Sequence, residues 1–478
     1  MGWDEKTQSM ASGVVAKMAP GVSWVYNWGP APKLAETFSS QSDVAFVPMA
    51  WNANFDETKI RNFYTQHPEV KVLLGFNEPN FSSQANMTPA QAVAAWPKLE
   101  QIASDFGLKL VAPALNFTGE KVGGRTWSPF EWYDEFFRLY PTAKVDYLAM
   151  HCYMNWAENV DWICSRYFYT DKEEEDLYYS TNRTKYPNLV KYLDDYKTAH
   201  GHFPQMYLTE FCSWEDGVYP YRNGLTEDFQ IDQMTQKLQY MEKSPLVAGY
   251  AWFMANPSGG VSDHPHESIL VRNTSDSELS ALGKVYVYLS TFDSEKYYIP
   301  GEQIQAKDYI DASLNDVQVR VRPNTEAGSS LPLQVQWGTS SWMSYQMDIA
   351  TEGQYDLTLH MKSSAVSSFR LYRNATGSGN RLTDTMTLPS TNGQWKDVTT
   401  TVTLPAGKYG LLLYNMSTTT VLVNALQLKT ATGIESLTPG PSPKGEGSGY
   451  YTLDGRKLLS QPTKKGLYIV NGRKVLVP

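Results

Sequence analysis

The chain has 478 residues, 42% of them hydrophobic and 19% charged, and this balance excludes disorder of the chain as a whole. Its formal net charge of −9 argues against nucleic acid or an anionic membrane as a partner, and no apolar run is long enough to insert into a membrane. The 13% aromatic content is high, and it fits either core packing or a surface on which sugar rings stack.

The first part of the chain, up to about residue 295, alternates short apolar runs with helical stretches, which is typical of βα units. Such runs predict buried parallel strands. We predict seven of them, at 23–28, 44–51, 70–76, 108–115, 145–153, 205–211 and 247–254, with helices that include 89–106, 130–139, 189–200 and 228–243. The fold class is therefore α/β, a (β/α)8 TIM-like barrel. A closed barrel has eight strands, so either one strand is missed or the barrel is incomplete.

Two of these strands end in a glutamate. The string GFNEPN at 75–80 contains Glu78, and YLTEF at 207–211 contains Glu210. Pro79 favours an extended backbone at Glu78, which predicts that the strand ends rigidly at the carboxylate. In a (β/α) barrel, a charged residue at the carboxyl end of a strand faces the active-site mouth. A surface Glu-Pro at a strand end is the alternative for Glu78 taken alone.

Taken together, the two glutamates predict a catalytic pair. Two predicted strands lie between theirs, so the carboxylates should face each other across the mouth. When the last predicted strand is counted as the eighth, they follow the fourth and seventh strands, as in retaining glycosidases. One would serve as acid/base and the other as nucleophile, with carboxyl groups about 5–5.5 Å apart.

Neighbouring residues are candidates for substrate binding. Asn77 is predicted to hydrogen-bond the sugar 2-hydroxyl, a contact that strengthens in the transition state. His151 and Tyr153 fall on one side of their strand by alternation. Tyr153 would hold the nucleophilic carboxylate, and His151 would contact a sugar hydroxyl. The alternative is a rim pair with only a packing role.

Further aromatic and amide side chains end the first two predicted strands or follow the nucleophile strand. These are Asn27, Trp28, Trp51, Asn52 and Trp214. Each taken singly fits barrel packing better, whereas the group as a rim cluster fits contact with sugar. The long insert at 155–186 predicts a cleft wall, and its acidic run at 171–176 is most simply a solvated face.

These strings resemble a known enzyme family. NEP at 77–79 and TEF at 209–211 are similar to clan A glycoside hydrolases, and the opening WVYNWG at 24–29 resembles glycoside hydrolase family 128, the β-1,3-glucanases. The resemblance covers about residues 20–290. It implies endo-type cleavage of β-1,3-glucan with retention, Glu78 as acid/base and Glu210 as nucleophile. It also implies that Trp252 is the platform under the sugar at the cleavage point.

Two other interpretations stay open. The substrate could be another β-glycan, such as a mixed-linkage glucan, xylan or mannan. The second interpretation is a non-catalytic glycan-binding protein, although such a protein does not need two opposed carboxylates. The sequence has no Gly-rich phosphate loop, no Ser-His arrangement and no metal-ligand spacing, so we expect neither a cofactor nor a metal.

From about residue 300 to 430 the sequence alternates Thr, Ser and Val with apolar residues, which predicts an all-β sandwich. This stretch resembles a family 6 carbohydrate-binding module through SWMSY at 341–345, GQW at 393–395 and VNAL at 423–426. The resemblance implies Tyr345, Trp395 and Asn424 as accessory sugar-binding residues. Lys307 replaces the usual acidic residue, which puts a calcium site in doubt. A spacer that only packs on the barrel is the alternative.

The last part of the chain is predicted to contain a linker at 431–449, by its Gly, Pro and Ser content, followed by short strands with hairpin turns at 454–455 and 471–472. The segment 450–478 resembles C-terminal sorting segments of secreted Bacteroidetes proteins. We therefore expect a secreted or cell-surface bacterial protein, a monomer, from which a leader has been removed. The cysteines Cys152, Cys164 and Cys212 are predicted to be free buried thiols, with a pair involving Cys164 as the alternative.

Overall fold

The protein is described by a computed structural model. The structure describes residues 11–32, 44–168, 182–214, 225–255, 278–289, 293, 295–313, 318–431, 450–452, 457–458, 466–470 and 473–477. The chain forms two compact units, Met1–Thr430 and Ala431–Pro478. The predicted linker therefore lies outside the described residues apart from Ala431, and so do both predicted hairpin turns and the acidic run at 171–176.

In the described residues of the first part of unit one there are seven short parallel strands, and each falls within one of the predicted runs. They are β1 (Trp24–Val25), β2 (Ala45–Phe46), β3 (Val72–Leu74), β4 (Lys109–Val111), β5 (Leu148–Cys152), β6 (Met206–Phe211) and β7 (Val247–Trp252). Parallel ladders join β1 to β2, β3 to β4, and β5 to β6 to β7. Parallel bridges between Met49 and Leu74 and between Val111 and Tyr147 join these groups, so neighbouring strands follow chain order.

Helices alternate with the strands. They are α1 (Ala11–Met18), α2 (Glu57–Gln66), α3 (Pro89–Phe106), α4 (Pro129–Leu139), α5 (Glu158–Asp161), α6 (Asn182–Lys185), α7 (Pro187–His200), α8 (Glu227–Lys243) and α9 (Ala281–Leu289). Thr88 and Ser128 begin α3 and α4 with capping boxes, each followed by a proline at the first helical position. These local signals explain why the starts of the two helices are predictable from sequence.

Much of the aromatic content packs in the core. Trp96, Trp132 and Trp252 are fully buried, and Trp132 stacks on Phe136 with ring centroids 5.6 Å apart. The three cysteines are buried thiols and form no disulfide, as the sequence predicted. A high aromatic count is therefore weak evidence for sugar binding in this chain, since core packing accounts for a large part of it.

The second part of unit one consists of antiparallel strands. They are β8 (Gln303–Gln305), β9 (Asp311–Ala312), β10 (Val319–Pro323), β11 (Leu333–Trp337), β12 (Trp342–Ile349), β13 (Gly353–Lys362), β14 (Ser367–Arg373), β15 (Met386–Leu388), β16 (Lys396–Leu404), β17 (Gly407–Asn415) and β18 (Val421–Thr430). One sheet has the order β10-β11-β18-β13-β16 with β8 beside β18, and the other has the order β15-β14-β17-β12-β9. Trp337 and Phe369, one from each sheet, meet at 6.1 Å. The predicted β-sandwich is present, and its inner faces form its core.

The sandwich packs directly on the α/β part of the chain. Arg322 of β10 donates from Nη1 to Oδ1 of Asp232 on α8 at 2.7 Å, and both side chains are at most 10% exposed. Nε of Arg322 lies 3.0 Å from Asp228 on the same helix. A buried ion pair needs fixed geometry, because either charge left alone in the interior is costly. The two parts of unit one are therefore held together rigidly.

Unit two contains a small antiparallel sheet of β19 (Tyr450–Thr452), β20 (Lys457–Leu458), β21 (Gly466–Val470) and β22 (Arg473–Val477), in the order β20-β19-β21-β22. β19 pairs with β20 and β21 pairs with β22, both antiparallel. Among the described residues, no helix has both the length and the apolar character that crossing a membrane requires.

Candidate active site

The two glutamates meet at the carboxyl ends of parallel strands. Glu78 lies four residues beyond the end of β3, and Glu210 is the next-to-last residue of β6. His151 of β5 stands between them, with Nδ1 2.8 Å from Oε1 of Glu78 and 3.3 Å from Oε2 of Glu210. The ligand-type atoms of the three side chains all lie within 4.8 Å of one another. The prediction that these strands bring the two carboxylates together is thus met.

Glu210 is surrounded by neutral hydrogen-bond donors. Trp28 donates from Nε1 to Oε1 at 2.7 Å. The hydroxyl of Tyr26 lies 3.2 Å from the same oxygen, but its single proton has a nearer acceptor in the carbonyl oxygen of Thr209 at 2.7 Å. The hydroxyl of Tyr153 donates to Oε2 through a short hydrogen bond. Since neutral donors stabilise a carboxylate more than a carboxylic acid, this environment favours the ionised form of Glu210 once a neighbouring charge is removed.

Glu78 has a different set of partners. Asn116 donates from Nδ2 to Oε1 at 3.0 Å, and Nδ1 of His151 contacts the same oxygen. Within the described residues both hydrogen bonds to this carboxyl group end on Oε1, so Oε2 is the oxygen left to carry a proton toward a substrate. The two carboxyl groups therefore differ in their surroundings, although both are nearly buried, Glu78 at 6% and Glu210 at 4% exposure.

The backbone at Glu78 differs from the prediction. Its φ is +43°, which lies in the left-handed region and not in the extended conformation that Pro79 favours. The amide of Phe81 closes a turn on the carbonyl oxygen of Glu78 at 3.0 Å, and the amide of Glu78 donates to Ala114 at 2.8 Å. These contacts hold a conformation that is unfavourable for a glutamate on its own, at a residue that we place in the site.

The buried charges shift one another's pKa values. Burial and the charge of Glu78 raise the pKa of Glu210, while His151, Tyr153 and Trp28 oppose that rise. Burial by itself would lower the pKa of His151, but the carboxylates of Glu210 and Glu78 outweigh it and raise that pKa. The pKa values of Glu210 and His151 therefore depend on each other's charge. Burial also raises the pKa values of Tyr26 and Tyr153 well above the usual range, which keeps both hydroxyls protonated as donors.

A cleft of about 700 Å³ opens above the two carboxylates. Its lining includes Asn77, Glu78, Asn116 and Glu210, together with the aromatic side chains of Trp28, Trp51, Phe81, Phe117, Tyr153, Trp214 and Phe253. Polar groups at the base of an aromatic cleft suit a sugar chain, whose ring faces stack while its hydroxyls bond. The structure thus places Asn77, Trp28, Trp51, Tyr153 and Trp214 where the sequence predicted them.

Three predicted site residues lie elsewhere or act differently. His151 is fully buried and bonds the two glutamates and Thr209, so it is not exposed to a sugar hydroxyl. Asn27 shapes a turn instead of lining the cleft, since its side chain bonds the backbone of Gly29 and Ala31.

Trp252, expected as the sugar platform, is fully buried and packs edge-on against Phe211 at 5.1 Å. Its neighbour Phe253 reaches the cleft instead. Successive residues of a strand point to opposite faces, and both residues are large and aromatic. The sequence therefore offered no signal to separate them.

Sequence reasoning missed Tyr26, Asn116 and Phe253. Tyr26 is two residues before Trp28, and strand alternation would have placed the two on one side. Asn116 follows the predicted strand at 108–115 directly, at the same edge as the two glutamates. An asparagine just after a strand also fits an ordinary turn, which hid its role.

The trio of Glu78, His151 and Glu210 has the residue types of a metal site. Oε1 of Glu78, both carboxyl oxygens of Glu210 and both ring nitrogens of His151 are already hydrogen-bonded to one another or to Asn116, Trp28, Tyr153 and Thr209. A cation would have to replace these hydrogen bonds and meet an imidazole whose pKa is raised. Among the described residues, this trio fits proton sharing better than metal binding.

The candidate residues of the sandwich do not form one exposed site. Tyr345 is buried in the core, with its hydroxyl donating to Ala306, and Asn424 is fully buried and donates to Glu326 at 2.7 Å. Trp395 is partly exposed and stacks on His360 with centroids 5.7 Å apart. Nζ of the buried Lys307 lies 2.5 Å from Asp308, so an ammonium group occupies the place where an acidic residue was expected.

A model of the family described as "Glycosyl hydrolase catalytic core" matches residues 2–173 and 177–286, which is more than half of the chain. The chain belongs to this family. The matched range contains Glu78, His151 and Glu210 and ends before the sandwich. No curated protein gives a significant match to the sequence of this glycosyl hydrolase.

Several solved structures are similar to the glycosyl hydrolase. One is a subgroup II endo-β-1,3-glucanase of glycoside hydrolase family 128 from Pseudomonas viridiflava, with 30% identity over 58% of this chain and 94% of that chain, at a TM-score of 0.42. The corresponding enzyme from Sorangium cellulosum gives 30% identity, 58% and 94% coverage and a TM-score of 0.41. A subgroup V exo-β-1,3-glucanase from Cryptococcus neoformans gives 23% identity, 59% and 94% coverage and a TM-score of 0.40.

Proposed function

We propose that this glycosyl hydrolase is a retaining endo-β-1,3-glucanase that works by double displacement, with Glu78 as acid/base and Glu210 as nucleophile. The observation that carries the proposal is the close pair of buried carboxylates with unequal hydrogen-bond partners. Their oxygens lie within 4.8 Å at the base of an aromatic cleft. Retaining enzymes hold the two groups about 5–5.5 Å apart, whereas inverting enzymes leave room for a water between them.

The unequal partners support the two roles. Glu210 accepts from Trp28 and Tyr153, and these donors oppose the rise in its pKa that burial causes, which suits a group that must be ionised to attack the anomeric carbon. Glu78 is held through Oε1, which leaves Oε2 to deliver a proton to the glycosidic oxygen. A proton on Glu78 also removes the like charge beside Glu210, so that the pair carries one negative charge in the reactive state.

The reaction then follows in two steps. Glu210 attacks the anomeric carbon while Glu78 protonates the leaving sugar, which gives a covalent glycosyl-enzyme. Once Glu210 is esterified, its charge is lost, and Glu78 becomes the base that takes a proton from an incoming water. That water attacks the anomeric carbon with the opposite approach, so two inversions give overall retention. His151 lies within hydrogen-bond distance of Glu78 and offsets part of the negative charge that Glu78 gains when it gives up its proton.

The substrate assignment rests on the family 128 resemblance of the strings at 24–29 and 75–80. The two bacterial enzymes that are 30% identical to this chain are named endo-β-1,3-glucanases. The aromatic cleft and the cleavage machinery suit other β-glycans as well, so linkage is the part of the proposal that activity assays must test. We also infer that the parallel strands β1 to β7 curve into a (β/α) barrel, because Trp28, three residues after β1, contacts Phe253, which follows β7, with ring centroids 5.9 Å apart.

We infer that the sandwich serves as a support packed on α8, which was the alternative to sugar binding. Two of its three candidate residues, Tyr345 and Asn424, are fully buried, whereas Arg322 is committed to an ion pair with Asp232. Export to the cell surface or the medium remains a proposal that rests on the resemblance of the segment 450–478 to sorting segments.

The test is product release from a panel of polysaccharides, with Glu210→Gln as control. Oligosaccharides of several lengths from laminarin or curdlan, absent with the variant, are expected. Proton NMR of the first product should give the β-anomer, as retention requires. Glucose alone would contradict endo action, the α-anomer would contradict retention, and turnover of xylan or mannan instead would contradict the linkage.

A further inference from the structure

The helix α8, which follows the nucleophile strand, presents buried polar side chains to the active-site edge of the fold. Gln230 and Gln233 are 2% exposed and Lys237 is fully buried. Their spacing of three and four residues places them on one face of the helix. Burial of a lysine costs free energy unless its amino group is fully hydrogen-bonded, so the hydrogen-bond partners of Lys237 show what keeps it in the interior.

The amino group of Lys237 joins the ends of two strands. Nζ donates to the carbonyl oxygen of Met154 at 2.7 Å and to that of Cys212 at 3.1 Å, and it lies 3.4 Å from Oγ of Ser213. Three acceptors match the three N–H bonds of an ammonium group. Met154 follows Tyr153, and Cys212 comes two residues after Glu210, so Lys237 bonds the backbone beside both members of the Tyr153–Glu210 hydrogen bond.

The two glutamines fix the same segments. Gln230 donates to the carbonyl oxygen of Ser213 at 2.5 Å and accepts from its amide at 3.2 Å. Gln233 accepts from the amide of Ala157 at 2.9 Å. The amide of Trp214 in turn donates to the carbonyl oxygen of Tyr153 at 3.0 Å. The segments 153–157 and 212–214 are therefore held to α8 and to each other.

We propose that Lys237 is a positioning residue for glycoside hydrolysis, whose amino group holds the ends of β5 and β6 at the spacing in which Tyr153 donates to Glu210. The inference rests on the proposed role of Glu210 as nucleophile. Lys237 is not among the residues that line the cleft. Met154 and Trp214 do line it, and they lie on the two segments that Lys237 holds. A displacement of about 1 Å in such a group costs about 100-fold in rate.

Lys237→Met keeps the length and the apolar stem of the side chain and removes only the amino group. We expect kcat on the glucan to fall about 10–100-fold with KM nearly unchanged, because the cleft remains while the nucleophile loses its alignment. The titratable groups facing Glu210 are Glu78, His151, Tyr26 and Tyr153. Weaker donation by Tyr153 disfavours ionised Glu210, so the acid limb of kcat/KM should move to higher pH.

A matched control lies on the same helix. Lys243 is one third exposed and 3.9 Å from Asp311 of the sandwich, so Lys243→Met should leave kcat and the pH profile as in the wild type. If Lys237 only stabilises the fold, Lys237→Met will lower the melting temperature while kcat per folded molecule and the acid limb stay unchanged. That result overturns the proposal.

A milder variant keeps the proposal testable if Lys237→Met does not fold. Ser213→Ala removes one acceptor of Lys237 and the bond from Ser213 to Asn155 at 2.8 Å, with little change in volume. It should give a smaller fall in kcat and an acid-limb shift in the same direction. Wild-type kcat and a wild-type acid limb in this variant would contradict a positioning role.

Hydrogen exchange separates this inference from the proposed function. A wild-type protein that releases no product from any β-glycan would remove the proposed reaction. The hold of Lys237 on the two segments could still be measured. Lys237→Met should speed amide exchange in peptides covering 152–157 and 211–214 and leave exchange in peptides covering β3 and β4 unchanged. Unchanged exchange at 152–157 and 211–214 would contradict the positioning role of Lys237, whatever the activity of the variant.

Discussion

Asn116 donates from Nδ2 to Oε1 of Glu78 at 3.0 Å, and both residues line the cleft. Oδ1 of the same side chain accepts from the amide of Phe117 at 2.8 Å, which fixes the orientation of the amide group. Asn116 thus holds the proton donor in one rotational state.

Replacing Asn116 therefore tests how tightly the acid must be held. Asn116→Ala should lower kcat/KM on the natural glucan about 10–100-fold, because the carboxyl group can then turn away from the leaving oxygen. Steady-state kinetics on glucan and on an aryl glycoside with a good leaving group measure this fall in kcat/KM. The fall should be smaller for the aryl glycoside. Asn116→Asp, which keeps the Phe117 contact but loses the donor, should be at least as damaging; full activity in either variant would remove Asn116 from the mechanism.

Removing the donor on Glu210 should change the pH profile. Tyr153→Phe deletes the hydroxyl that stabilises the ionised carboxylate, so the pKa of Glu210, already raised by burial, rises further. Because the nucleophile must be ionised, the acid limb of kcat/KM should shift to higher pH and activity below it should fall. The measurement is kcat/KM from about pH 4 to about pH 9, a range that should include the acid limb of the profile. An acid limb at the wild-type position would contradict the assigned role of Glu210.

The two glutamates should respond differently to amide replacement. Glu78→Gln removes the proton donor, which contributes typically about 10²–10⁴-fold, but substrates with good leaving groups need little protonation and should retain most activity in the first step. Glu210→Gln removes the nucleophile and should abolish turnover of both kinds of substrate. Small and equal losses in the two variants would take these residues out of the chemistry.

A chelator should leave the activity unchanged. Both ring nitrogens of His151 and both carboxyl oxygens of Glu210 already have hydrogen-bond partners, and the raised pKa of His151 favours the protonated imidazole, which does not bind metal. Dialysis against EDTA followed by assays with and without added divalent cations tests this. Loss of activity that a cation restores would replace the proton-sharing interpretation with a metal site.

The ion pair between Arg322 and Asp232 should contribute strongly to stability. Arg322→Met leaves the buried Asp232 carboxylate without its closest partner, which typically costs about 3–5 kcal/mol. Arg320, 39% exposed and 3.7 Å from Asp232, is the matched control, and Arg320→Met should cost less than about 1 kcal/mol. Urea unfolding of unit one measures both. Equal small effects would mean that the sandwich is held by apolar packing alone.

The sequence predicted what depends on local pattern. Each of the seven apolar runs contains a strand, and the two runs that end in Glu78 and Glu210 place both at the carboxyl edge of the sheet, because parallel strands share that edge. It did not predict what depends on the packing of neighbours. Trp252 ends β7 and Phe253 follows it directly, and because both are large and aromatic, the sequence alone does not say which one reaches the cleft.

The same limit applies to polar residues. His151 was expected at the surface of the cleft, yet it lies under both glutamates, because the depth of a side chain below a rim is set by the tertiary fold. The left-handed backbone of Glu78 likewise depends on contacts with Phe81 and Ala114, which override the local preference set by Pro79.

The docking of the sandwich on α8 also bears on where this enzyme can be shortened. The sequence suggested a catalytic part that ends near residue 295, but a chain cut there would leave Asp232 facing water or an empty interior without Arg322. The helix that would lose this partner is the one whose other face holds the ends of β5 and β6. We therefore expect a chain that ends at Thr430, where unit one ends, to be more stable than one that ends near residue 295.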